Sequence, residues 1–241
     1  MKQCIIWWSS GDFCRISDER NTNEQVNKYF VIDAVNALEI MLYDAKSIGC
    51  SITKEGMGER ISHYSIHTPT RHPYQNDDES HRILQVIEKI CTELPIKNIV
   101  IHPDNVVDWS VFKQYNHLPF SIENMDDRKK SCRSVEDIKK ILDDNPRFWL
   151  TLDLQHCFTN DSTMQLAREF HRVLWDKIVQ YHLSWYHPDY LHYPLFKTQQ
   201  NEIIASLENR DIPIIIESTF DEQDELQKEI DYIYKNRSFI W

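Results

Sequence analysis

Eight short runs of β-branched, aliphatic and aromatic residues recur along the chain, at residues 4–8, 37–42, 64–67, 98–102, 120–123, 148–153, 178–182 and 213–217. Several, such as Ile99-Val100-Ile101 and Ile214-Ile215-Ile216, are apolar without alternation, which is the pattern of strands covered on both faces. Between the runs, apolar residues fall three or four apart, as in Ile83, Val86, Ile87 and Ile90, or Val135, Ile138, Ile141 and Leu142. Ser80 and Ser134 are placed to cap these helices, and Pro95 and Pro146 follow their ends. Strand then helix, repeated, predicts parallel strands joined by right-handed crossovers. Eight such units predict an α/β fold of the (β/α)8 TIM-barrel type, and barrels of about 250 residues commonly form one domain. The whole span 1–241 is therefore expected to be a single barrel domain. Residues 43–60 break the pattern, with three of the four glycines and little periodicity, and read as a long loop over the mouth.

Charge narrows the function classes. With 27 Lys+Arg against 38 Asp+Glu, the formal charge of -11 argues against a broad basic surface that grips a phosphate backbone. Neither a signal peptide nor a membrane span is readable at the start, so a soluble, cytoplasmic protein without membrane contact is expected. Six cysteines lie far apart with no C-x-x-C pair and read as reduced thiols. Cys157, beside a candidate histidine, reads as a small apolar filler in preference to a catalytic thiol.

The informative feature is where the ionisable residues fall. His67, His102, Glu123, Asp153, His182 and Glu217 each stand at the last residues of a different predicted strand, and in a barrel those ends meet around one axis. Buried acids and imidazoles need compensation, which a divalent cation supplies. His156 and His192 extend the set. Imidazole with carboxylate suits Zn2+, Mn2+ or Fe2+ better than Ca2+, and the number of groups allows one to three ions or leaves some residues to act as acid, base or substrate contacts. Glu39, in the second run, is read as structurally paired in preference to projecting into the pocket. His63, His72, His81, His117, His171 and His187 lack the strand-end position and are read as surface or loop residues. Arg71, Arg128, Lys129, Lys130 and Arg133 are the basic residues whose loops could face the mouth, with 128–130 read as a solvated charge run.

The sequence resembles the xylose-isomerase-like barrel superfamily, which joins endonuclease IV to sugar isomerases and epimerases. The matching stretches are Ser65-Ile-His-Thr-Pro69, Ile101-His-Pro103, Ile122-Glu-Asn124, Asp153-Leu-Gln-His156, His182-Leu-Ser184, Leu191-His-Tyr-Pro-Leu195 and Ile216-Glu217, in the family's order and over nearly the whole chain. The resemblance implies a core metal site of Glu123, Asp153, His182 and Glu217. In the endonuclease IV branch it implies a second ion at His67 and His102 bridged by Glu123, and a third at His156, His192 and an Asp. That Asp is expected where this chain has Tyr190, with Asp189 out of register, and the Tyr that follows His-x-Pro in that branch is Thr70 here.

Three functions follow as expectations. The first is endonuclease IV-like, metal-assisted phosphoester hydrolysis on a small phosphorylated substrate, nucleotide or sugar, with nucleic acid possible but unsupported. The second is a sugar or sugar-phosphate isomerase or epimerase using one ion, in which the resemblance makes Glu123 and Glu217 the proton-transfer pair and puts His156 near the substrate. A metal-containing binding protein without catalysis is the third. Arg71, His156 and His192 are the candidate substrate contacts.

Overall fold

In the computed structural model the described residues are 35–42, 61–187, 192–209, 211–222 and 224–237. The expected first strand at 4–8 and the expected loop at 43–60 lie outside them, as do Asp189 and Tyr190. The other seven expected strands are present: β1 (Ala37–Met41), β2 (His63–His67), β3 (Ile96–Ile101), β4 (Phe120–Glu123), β5 (Trp149–Asp153), β6 (Ile178–Leu183) and β7 (Ile214–Ile216). All pair in parallel and in sequence order, β1 through β7. β7 curls back to β1, where Ala37 and Ile215 pack together, so the sheet is a nearly closed barrel wrapped by helices.

Those helices are α1 (Asp78–Glu93), α2 (Val135–Asp144), α3 (Leu154–Asn160), α4 (Gln165–Leu174), α5 (Leu195–Thr198), α6 (Asn201–Ala205) and α7 (Glu225–Arg237). Ser134 caps α2 as expected, its hydroxyl accepting from Asp137 N at 3.1 Å. The cap of α1 is Asp77, which accepts from Ser80 N at 2.8 Å. Ser80 sits inside the first turn, where its hydroxyl meets His72 Nε2 and Gln75 N instead. A carboxylate three residues ahead of the serine wins the cap because it also complements the positive end of the helix dipole.

Strand parity divides the molecule into two chemistries. One face of each strand is apolar, with Ile66, Ile99, Ile101, Ile122, Leu150, Leu152, Tyr181, Leu183, Ile214 and Ile216 in the main core. The helices close over it through Ile83, Leu84, Ile87, Ile138, Leu142, Ala167 and Phe170. Each such aliphatic side chain, fully buried, contributes roughly 1.5–3 kcal/mol. The opposite face is largely polar: Glu39, Ser65, Asn98, Ser121, Thr151 and Gln180 are buried there. Asn98 Nδ2 donates to Thr151 Oγ1 at 3.0 Å, and the Ser121 and Thr151 hydroxyls meet at 2.7 Å. Inside a barrel such groups must satisfy one another across strands, and two residues beyond Ser65, Ser121, Thr151 and Gln180 come His67, Glu123, Asp153 and His182, with His102 four beyond Asn98.

Candidate metal centre

The six strand-end residues converge. Glu123, at the end of β4, is the hub, and its two oxygens are divided between different partners. Oε1 lies 2.7 Å from His182 Nδ1, while Oε2 lies 2.9 Å from His102 Nε2 and 3.4 Å from His67 Nε2. Glu217, just beyond β7, brings Oε1 to 3.0 Å from the same His182 Nδ1. Asp153 ends β5, and its Oδ1 accepts from His156 N at 2.8 Å, capping α3. Its Oδ2 is buried with no hydrogen-bond partner. Asn124 grips Asp153 from β4, its Oδ1 accepting from Asp153 N at 2.7 Å and its Nδ2 donating to Asp153 O at 3.0 Å.

Ring orientation follows from the outer bonds. His67 Nδ1 donates to the Thr68 carbonyl at 3.0 Å, which assigns the proton to that nitrogen and turns Nε2 toward Glu123. His156 Nδ1 likewise lies 2.8 Å from the Asn124 carbonyl, leaving Nε2 to face Asp126 Oδ2 at 3.9 Å. His102, 15% exposed at its side chain, has its Nδ1 without a partner.

So many buried charges perturb one another. Burial alone would raise the Glu123 carboxyl, but His182, His102 and His67 hold it well below the usual range. Glu217, buried but beside His182, is held down at about 2. Burial, with Glu217 and Glu123 nearby, pushes the Asp153 carboxyl up to about 8. His182 is buried too, yet Glu217, Glu39 and Glu123 raise it well above an ordinary imidazole. Burial lowers His102 and His192. A cluster in which one acid is driven toward neutrality while its neighbours stay ionised is short of positive charge.

The donor set fits a divalent cation. Glu123, Asp153, His182 and Glu217 can each bring one ligand atom within 4.8 Å of the others, and so can His67, His102 and Glu123. A third such group, Glu39, His67, His182 and Glu217, includes a residue that sequence alone reads as structurally paired. The orphaned Asp153 Oδ2 is the atom a cation would satisfy, and nitrogen with carboxylate oxygen is the donor chemistry of Zn2+ and Mn2+.

Other expectations resolve differently. His192, 34% exposed at its side chain, bonds Ser184 Oγ at 2.9 Å and lies 3.5 Å from Glu217 Oε2. It and His156 border the cluster, but neither joins a group of three ligands among the described residues. Arg71 is exposed in the turn after β2. Arg128 and Lys130 are exposed, as a solvated run would be, while Arg128 also pairs through its guanidinium with buried Asp126 and half-buried Lys129 Nζ bonds Asp104 Oδ2 at 2.6 Å. The loop closes through Met125 N to Cys132 O, which buries Asp126 and gives Arg128 a partner. His171 is no surface residue but a buried one on α4, and His63 belongs to β2, where its Nε2 meets Gln180 Oε1 at 3.1 Å. Cys157 is fully buried and its thiol pushed up by burial, as suits a filler.

Among solved structures the chain is similar to endonuclease IV from Thermus thermophilus, with 12% identity, 97% of this chain and 98% of that one covered, and a TM-score of 0.71. It is similar to a sugar phosphate isomerase/epimerase from Parabacteroides distasonis at 12% identity, 98% and 94% coverage and TM-score 0.56. A D-psicose 3-epimerase solved in the presence of D-fructose matches at 11% identity, 98% and 99% coverage and TM-score 0.60. The fold they share with this chain is the α/β TIM barrel. No family profile and no curated protein matches the sequence. In a TIM barrel the C-terminal strand ends form the mouth, and that is where His67, Glu123, Asp153, His182 and Glu217 stand. Among the described residues no helix is long and apolar enough to cross a membrane.

Proposed function

We propose that residues 1–241 form one barrel domain of a divalent-metal-dependent enzyme, and that it hydrolyses a phosphoester of a small phosphorylated substrate. One observation carries the reading: Glu123 splits its carboxylate, Oε1 toward His182 and Oε2 toward His102 and His67. A carboxylate that faces two sets of donors is placed to bridge two cations. The first would be held by Glu123, Asp153, His182 and Glu217, the second by His67, His102 and Glu123. An ion pair of this kind supplies a nucleophile at neutral pH and Lewis acidity at the phosphoryl group. The chain's own contribution is orientation: Thr68 and Asn124 fix the rings of His67 and His156, and Asn124 fixes Asp153. His156, whose Nε2 lies beside Asp126 Oδ2, would hold a substrate oxygen, together with His192. The endonucleases and epimerases that share the fold are enzymes, which supports an enzymatic role here.

A second reading has its own observation. Glu123 Oε1 and Glu217 Oε1 lie 2.7 and 3.0 Å from one imidazole nitrogen, so two carboxylates flank a single point. With one ion in the core group, that pair could move a proton between neighbouring carbons of a hydroxyketone, as in a sugar isomerase or epimerase. Metal analysis of protein purified without chelators, with anomalous scattering from its crystals, separates the two. Two ions sharing Glu123 support hydrolysis. A lone ion in the core group, with His67 and His102 unligated, overturns hydrolysis in favour of isomerisation.

A further inference from the structure

We infer that Glu39 is a positioning residue for the metal centre proposed above, receiving the Nε2 proton of His182 so that Nδ1 of that ring is turned to the cation. Glu39 is fully buried on the inward face of β1, a strand that supplies none of the proposed ligands. Its Oε2 accepts from Ser65 Oγ and from Gln180 Nε2, both at 2.7 Å. Its Oε1 makes no hydrogen bond of its own and stands 3.3 Å from His182 Nε2.

The geometry of His182 makes that oxygen matter. Its Nδ1 is the nitrogen that faces Glu123 and Glu217, so a cation shared with those carboxylates takes the Nδ1 lone pair. The single proton of a neutral imidazole must then sit on Nε2, and a buried N–H needs an acceptor. Gln180 comes within 3.0 Å of Nε2, but with its amide nitrogen, which can only donate and so serves the ring while the proton sits on Nδ1, not when a cation takes Nδ1. The assignment of that nitrogen is set by Glu39, because an amide oxygen 2.7 Å from Oε2 would be repelled. The Gln180 oxygen is thereby turned to His63 Nε2 at 3.1 Å. Glu39 Oε1 is the acceptor that remains. A carboxylate behind a ligating imidazole fixes the ring's tautomer and raises its basicity.

This inference rests on the proposed metal centre, and the test separates the two. Metal-free wild type and Glu39→Gln are compared by thermal melting, then loaded with Zn2+ in competition with a chromophoric chelator and with Co2+ for visible spectra. Zn2+ should bind the variant roughly 10–100-fold more weakly, with a Co2+ band of unchanged position because the donor atoms are the same. In 15N-histidine-labelled Zn2+ protein, wild type should show His182 protonated at Nε2, with a slowly exchanging N–H that the variant loses. Equal Zn2+ affinity in the two proteins overturns the inference. So does a shifted Co2+ band, which would make Glu39 a ligand, or a wild-type His182 protonated at Nδ1, a measurement that does not depend on the variant folding. Wild type that takes up no ion at these residues refutes the metal centre, and the inference with it.

Discussion

Asp153 caps the helix that carries His156, its Oδ1 accepting from His156 N at 2.8 Å while its Oδ2 is left without a hydrogen bond. The two oxygens therefore have separable duties. Asp153→Asn should keep a cap, with melting close to wild type, and yet lose far more metal affinity than the roughly 10–100-fold that an outer partner is worth. Asp153→Ala should lose both, with about 1 kcal/mol from the cap. Calorimetric melting of the metal-free proteins beside chelator competition reads the two effects apart. Equal metal affinity in Asp153→Asn and wild type would remove this residue from the centre.

His102 and Glu217 test which of the two proposed chemistries the site performs. Glu217→Gln should abolish turnover under either reading, because it belongs to the core group in both. His102→Ala should abolish phosphoester hydrolysis and lower the metal content by one ion, but would leave an isomerase active. Assays with small phosphorylated sugars and nucleotides, each paired with metal analysis, decide the matter. Full activity in Glu217→Gln would refute the site itself.

Away from the centre, His171 should make stability depend on pH. Its Nδ1 donates to the Ala167 carbonyl and its Nε2 accepts from the Tyr181 hydroxyl, both at 2.8 Å, an arrangement that needs the neutral ring. Burial lowers its pKa below the ordinary value. Between the folded and unfolded values the unfolded chain binds more protons, so this contribution is present above about pH 6.5 and is lost as pH falls toward the folded value. The fall in Tm from about pH 7.5 to about pH 5.5 should be smaller in His171→Gln than in wild type. An identical fall would show that His171 does not carry the effect.

Glu229 of α7 performs a cap at a distance. Its carboxylate accepts from Leu195 N at 2.8 Å, Phe196 N at 2.9 Å and Ser218 Oγ at 3.0 Å, tying the start of α5 to α7. Removing it strands two backbone donors, so Glu229→Ala should cost about 2–4 kcal/mol in denaturant unfolding. His192 stands three residues before Leu195, and hydrogen exchange of this segment should quicken in the variant. A change in stability below about 0.5 kcal/mol, the usual range for neutral surface substitutions, would contradict the cap.

Seven of the strands, and the convergence of the acids and imidazoles at their ends, were legible in the sequence for one physical reason. In a barrel covered by helices, the outward strand residues pack as hydrocarbon, so an acid or imidazole that ends such a run has nowhere to go but the mouth. Glu123, Asp153, His182 and Glu217 could be located in this way without any knowledge of their partners. The partners themselves could not. Gln180 and Glu39 are bonded across 141 positions of sequence, and Asn124, which holds Asp153, looks like the first residue of a loop. Glu39 between Leu38 and Ile40 was the available signal, an acid inside an apolar run, but a structural ion pair leaves the same trace. The exposure of Arg128 was legible, but its partner Asp126 was not, because that pairing depends on a loop that folds back through Met125 and Cys132, a tertiary event with no local pattern. His171 misled because an imidazole at helical spacing reads as surface unless its hydroxyl partner on β6 is known.

The division of the strands into an apolar outer face and a polar inner one bears on how such a barrel could change its chemistry. The hydrocarbon that makes the chain fold lies between strands and helices, while Val100, Ser121, Thr151 and their neighbours face the axis and contribute little to that layer. Inward side chains could therefore be exchanged in small sets that match volume and keep bonds such as those among Asn98, Ser121 and Thr151 satisfied, leaving the packing between strands and helices alone. A selection scheme that randomises only the axial positions would explore new reactions while keeping most of its library folded.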